Sequence, residues 1–162
     1  MTMMEKISEW MRLTNLQFED LRRPCTTFKE QFRGYFPESF LAQSFYVVVP
    51  QIPMPAFQFL EQHGLKDLFA RDVAGLTLGN TYYLLPSVEG NLQLHFHELV
   101  HVAQWQRLGV KGFVTRYLQE LQAVGYDHMP LERMAYDLDA QYAAGEPVVK
   151  VPDVVNERLS IS

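Results

Sequence analysis

The run "LQLHFHELVHVAQWQRLGV", from Leu92 to Val110, holds His97, Glu98 and His101 in the pattern H-E-x-x-H. On a helix, residues four apart lie one above the other, so His97 and His101 would share a face. Two imidazoles one turn apart can aim at a single point, as two ligands of one zinc ion must. Glu98 would stand about 100° round from His97. From there it cannot join the two-histidine bite, but it can reach a water in an open coordination position and act as its general base. The chemistry implied is metal-assisted hydrolysis. The chain has only 5 His in 162 residues, and random placement would produce the pattern roughly 0.01 times, so accident is a weak explanation. His95 is two residues from His97, points to nearly the opposite side of a helix, and is set aside as a ligand.

This chemistry depends on the elements that carry it. From Leu92 to Leu108 there is no Pro or Gly. Asn91 suits an N-cap, and Gly109 follows where a left-handed C-terminal residue is expected. A second helical pattern follows at once, with Val110, Phe113, Val114, Tyr117, Leu118, Leu121 and Val124 at helical spacing. If the chain turns back at Gly109, the first helix advances about 18 Å beyond His97 and the second returns about 22 Å. The loop Gly125–Met129 then comes back to the level of the histidines. Pro130 suits the first turn of a third helix, whose apolar face is Leu131, Met134, Ala135, Leu138 and Tyr142.

A catalytic zinc takes three protein ligands and keeps one position open. Glu132, His128 and Asp127 are all within reach of the returning segment, and zinc accepts either imidazole or carboxylate. A ligand on a rigid element is held better than one on a loop, which favours Glu132 over the other two without excluding them. Tyr126 and His128, in the same loop, are candidate donors to a developing oxyanion. The strand-like stretch Leu76–Leu85 offers a sheet edge for an extended substrate, with Asn80 and Tyr82 lining the cleft.

The segment "HELVHVAQWQRLGVKGFVTRYLQEL…GY…MPLERMAYDLDAQY" resembles a family of short bacterial domains of the zincin metallopeptidase type. The family pattern is a helix with H-E-[LF]-x-H-x-x-Q, a helix ending near a G-Y pair, and an "[FL]-E-x-x-A" helix. The likeness runs from about Gly75 to Ala144, and "GLTLGNTYYLLP" is similar to the strand before the active helix. It implies His97 and His101 as zinc ligands, Glu98 as general base and Glu132 as third ligand, in the thermolysin-like, glutamate-ligand class. It also implies an α+β, mostly helical fold: a zincin-like core of the H-E-x-x-H helix, an antiparallel helix hairpin and a small sheet. The chain departs from the class in one place. An acidic residue usually stands four after the ligand Glu to brace a histidine; here that position is Tyr136, with Asp137 and Asp139 close by.

Bulk properties narrow the rest. A chain of this length reads as one domain, 1–145, with a metal-binding core at about 75–144 and a C-terminal tail, 146–162. An apolar content of 48% supports a real core. A net charge of −5 without a Lys/Arg run argues against a nucleic-acid surface. No stretch reaches membrane-span length, and the first dozen residues are too charged for a secretory signal. The single Cys25 excludes an internal disulfide and fits a reducing, cytoplasmic setting.

Ile7, Trp10, Met11, Thr14, Phe18 and Leu21 mark one face of an N-terminal helix, with a short helical stretch near Thr27–Arg33. "SFYVVVPQI" reads as a strand, and "LTLGNTYYLL" as a second with an irregularity at Gly79-Asn80. "AFQFLEQHGLKDLFARDV" reads as a helix to His63, a break at Gly64 and a further helical piece. The expectation is a zinc peptidase acting on a peptide or protein; the competing reading is a metal-binding regulatory or interaction module without turnover.

Overall fold

The computed structural model describes residues 1–64 and 73–161. Six helices are described: α1 (Met3–Gln17), α2 (Glu38–Ala42), α3 (Phe57–Gln62), α4 (Leu92–Val124), α5 (Pro130–Ala143) and α6 (Val151–Ile161). Four strands, β1 (Arg23–Pro24), β2 (Phe45–Val48), β3 (Gly75–Leu78) and β4 (Thr81–Leu84), form one sheet in the order β1-β2-β4-β3. The β2–β4 pair is parallel, and the β1–β2 and β3–β4 pairs are antiparallel. The fold is thus α+β and mostly helical, with a small sheet. The helical piece expected after Gly64 lies outside the described residues.

Helix α4 is the hub. It packs on α1, α5, α6 and strands β3 and β4. Its start is capped as expected: the Asn91 side chain accepts from the Leu94 N–H at 3.1 Å, which satisfies one of the donors left free at a helix start. Gly109 breaks it with φ 74° and ψ 172°, a conformation that favours glycine. The arms 92–108 and 110–124 therefore meet at a bend, and Trp105 stacks on Phe113 across it with ring centroids 3.9 Å apart. The second arm then helps to start α5. Glu120 Oε1 accepts from the Leu131 N–H at 2.8 Å, one of the orphan donors beside Pro130 at the helix N-terminus.

Three sequence expectations change. The stretch Leu76–Leu85 is not one strand with an irregularity. Gly79-Asn80 is the two-residue turn of a hairpin joining β3 to β4, with Gly79 at φ 75°, as such dipeptides favour. Consequently Tyr82 is not at a cleft: it is fully buried, and its hydroxyl is 2.7 Å from His95 Nδ1. The segment expected as a tail is also structured. Pro147 and Pro152 interrupt the pattern, but Val151, Val155 and Leu159 fall four apart on α6 and are buried where that helix packs on α4. The expected 27–33 helix is replaced by a 3-10 turn, Cys25–Phe28, and further turns.

Pleating of the hairpin decides which residues reach α4. Thr77 and Tyr82 are cross-strand partners, and both bond to α4, at Glu98 and His95. Tyr83, the residue after Tyr82, instead donates from its hydroxyl to the side chain of Asn15 of α1, which also bonds the backbone carbonyl of Leu78. Successive side chains point to opposite faces of a strand, so the hairpin sits between the N-terminal helix and the H-E-x-x-H face. Among the described residues no helix is long and apolar enough to cross a membrane.

Candidate metal centre

Burial of the first arm of α4 is nearly complete from His95 to Trp105. Ionisable groups held there need partners, since a buried charge without one is costly. His97, His101 and Glu132 supply each other: His97 Nε2 lies 3.2 Å and His101 Nε2 3.1 Å from the same Glu132 Oε1. One ligand atom from each of the three falls within 4.8 Å of the others, and all three residues are buried, so the group could hold a metal ion.

The outer bonds decide what the inner atoms can do. His97 Nδ1 is 2.8 Å from Asp139 Oδ2, and an ionised carboxylate only accepts, so Nδ1 carries the proton. The same reasoning applies to His101. Gln104 Nε2 donates to the Leu131 carbonyl at 2.9 Å. This turns Gln104 Oε1 towards His101 Nδ1, at 2.7 Å, where it accepts. Both Nε2 atoms therefore face Glu132 with their lone pairs when the rings are neutral. Three acceptors converging on one point need a cation among them, either protons on the rings or a metal ion.

Without a metal, protons fill that role. For His97, burial works to lower the pKa, but the bonds to Asp139 and Glu132 and the charge of Glu98 outweigh it and lift it to about 10. The His101 pKa is also raised, burial being overcome chiefly by Glu132. Glu132 is shifted the other way: burial favours its neutral form, but the two histidines hold its carboxyl well below the usual range. The spacing of each imidazole from Glu132 suits a metal as well. Two ligand atoms at zinc distance in a tetrahedral site stand about 3.3 Å apart, close to the 3.1–3.2 Å found here. Bonds from the second ring nitrogen to a carboxylate and an amide oxygen are the support that metal-bound histidines usually have.

Glu98 is buried but stays out of the three-residue group. Thr77 Oγ1 donates to Glu98 Oε1 at 2.9 Å, and Glu98 Oε2 lies 3.9 Å from His97 Nε2. Gly75 leaves the room this needs, because a Cβ there would stand 3.2 Å from the Glu98 carboxyl carbon. Glu132 Oε2, the oxygen turned away from the histidines, accepts from the Tyr117 hydroxyl at 3.0 Å. Burial and the nearby Glu132 charge raise the Tyr117 pKa well above normal and keep it a donor.

The loop residues separate. Tyr126 is half-buried, borders the same cavity as Glu98 and Glu132, and has its hydroxyl 3.1 Å from that of Tyr136. Burial, with Glu132 next in effect, raises its pKa, so it keeps its proton. His128 is exposed and borders neither cavity that opens on the group. His95, on the far side of the helix, binds Tyr82 and the Glu89 carbonyl. Cys25 is buried, and its Sγ lies 3.6 Å from the Tyr82 hydroxyl.

Sequence reasoning left the brace on His97 open between Asp137 and Asp139 and did not foresee the parts played by Thr77 and Tyr117. Helical period would have favoured Asp139. It stands seven residues, nearly two full turns, beyond Glu132 and so on the same face. Comparison of the chain with protein-family models, with curated proteins and with solved structures finds no match.

Proposed function

We propose that the protein is a zinc-dependent hydrolase acting on peptide bonds, a zincin-like peptidase in which His97, His101 and Glu132 hold the metal and Glu98 is the base. The observation that carries the reading is the division of labour among buried carboxylates. Glu132 takes the point where both Nε2 atoms converge, Asp139 orients His97 from behind, and Glu98 remains beside the group with one oxygen uncommitted to it. Two imidazoles and a carboxylate with an open position are the donor set of a catalytic zinc site. A metal ion held there would supply Lewis acidity and acidify a coordinated water.

The chain's own residues do the remainder. Thr77 fixes Oε1 of Glu98, which leaves Oε2 facing the space beside His97 Nε2. There Glu98 takes a proton from the attacking water and passes it to the leaving amine. Tyr126, protonated and bordering the cavity, donates to the oxygen on which negative charge develops. Strand β3, at the end of the sheet order and beside Glu98, offers its outer edge to an extended chain.

The test is Glu98→Gln on the full chain, assayed with a mixed peptide library after zinc loading. The variant should keep its metal and lose cleavage by at least ~100-fold, the low end for a general base. Loss of metal instead would make Glu98 a ligand, and undiminished cleavage would place the base elsewhere.

A further inference from the structure

A carboxylate can bind a metal through one oxygen or through both, and for Glu132 the difference matters. If both of its oxygens joined His97 and His101, protein atoms alone would fill the four positions of a tetrahedral zinc site. A hydrolytic site must keep one position free, so the second oxygen has to be held back.

Tyr117 stands at that oxygen. Its hydroxyl donates to Glu132 Oε2 at 3.0 Å, while Oε1 faces both imidazoles. A phenol keeps its proton at neutral pH. A hydrogen bond to an ionised carboxylate is among the stronger kinds, and it occupies the oxygen that would otherwise be available to a cation.

The phenol is itself held in place. Tyr117 lies on the second arm of α4, four residues after Phe113, and residues so spaced meet on one helical face. Their rings stack with centroids 5.6 Å apart, and Phe113 stacks in turn on Trp105 at 3.9 Å. Glu120, about one turn further along that face, accepts from the Leu131 N–H, and Arg116 donates to its other oxygen at 3.0 Å. The arm thus grips two consecutive residues, Leu131 and Glu132, at the start of α5. The grip depends on the bend at Gly109. An unbroken helix would carry Tyr117 about 24 Å from His101, yet the two residues bond to opposite oxygens of one carboxylate.

Resting on the metal-centre reading above, we infer that Tyr117 is a positioning residue: its hydroxyl limits Glu132 to ligation through Oε1 alone and so preserves the open position at the metal. It acts on a ligand and not on substrate, which separates its role from that of Tyr126.

The test uses the full chain loaded with cobalt(II), whose visible absorption reports coordination geometry, and the variant Tyr117→Phe, which keeps the ring that stacks on Phe113. Cobalt should remain near one per chain. With Oε2 released, the resting cobalt bands should shift and weaken by ~2-fold or more, as the coordination number rises. Azide, a small probe of the open position, should then bind ~10-fold or more weakly, because Oε2 competes with it. Should Tyr117→Phe not fold, Phe113→Leu serves instead: it removes the ring that holds the phenol without touching Glu132, and should move both readouts in the same direction. An unchanged resting spectrum overturns the inference even where azide binds more weakly, because Tyr117 would then be touching the anion itself. Unchanged azide affinity also overturns it, and either result leaves the metal reading standing. A chain that takes up no cobalt overturns both.

Discussion

Asp139 offers a clean test of how the site is built. Its Oδ2 accepts from His97 Nδ1 at 2.8 Å and its Oδ1 from Gln93 at 2.8 Å, in a buried position. The first bond fixes the ring so that Nε2 faces Glu132, and it makes that nitrogen a better electron donor. Asp139→Ala removes both effects without touching a proposed ligand. Removing such a support typically costs 10- to 100-fold in metal affinity, equivalent to about 1.4–2.7 kcal/mol. Asp137, two residues earlier, is the control. It is exposed and paired with Arg133 at 3.6 Å, so Asp137→Ala should leave metal affinity within about twofold, since surface pairs contribute little. Zinc titration against a competing chelator, with circular dichroism to verify folding, reads both variants. Equal affinity in Asp139→Ala and the unmodified chain would refute the reasoning that the outer carboxylate orients His97.

Other expectations follow from the same contacts. Thr77→Val should retain zinc yet lower turnover by about tenfold or more, because Glu98 Oε1 loses its donor, whereas Thr77→Ser should restore most of it; steady-state kinetics on one peptide substrate distinguish them. In the metal-free chain the raised His97 pKa contributes stability that is full below the ordinary histidine value and fades as pH rises through about 10, while the lowered Glu132 pKa contributes stability that is lost in acid. Melting temperature with chelator present should therefore fall between pH 7 and pH 10, and zinc uptake near pH 8 should release protons into a weak buffer; a metal-free chain that becomes more stable towards pH 10 would contradict this. Leu159→Ala should cost about 2–5 kcal/mol in denaturant unfolding, because α6 buries that residue against the rest of the fold; a change below about 0.5 kcal/mol would mean that α6 is not docked.

What could be read from sequence was what rests on local periodicity. A four-residue spacing placed His97 and His101 on one face, and Asn91 and Gly109 marked the ends of their arm because capping and left-handed φ are local demands. Glu132 could be brought to the right level because two helices and a turn have known rises. What escaped depends on tertiary pairing. Thr77 reaches Glu98 only because Gly79-Asn80 reverses the chain and sets the β3–β4 register, and no property of Thr77 itself announces that. His128 sits in a short 3-10 turn, Tyr126–His128, where no repeating spacing indicates the direction of a side chain. Helix α6 was obscured by Pro147 and Pro152, although Pro152 stands in the first turn, where its missing N–H costs no helical bond.

The proposed metal centre requires His97, His101 and Glu132 together to hold one zinc ion. Elemental analysis of the 162-residue chain, purified without a histidine tag and dialysed against zinc-free buffer, measures it directly. About one zinc per chain is expected, with loss of that stoichiometric zinc in His101→Ala and in Glu132→Ala. A full equivalent of zinc retained in both variants would contradict it.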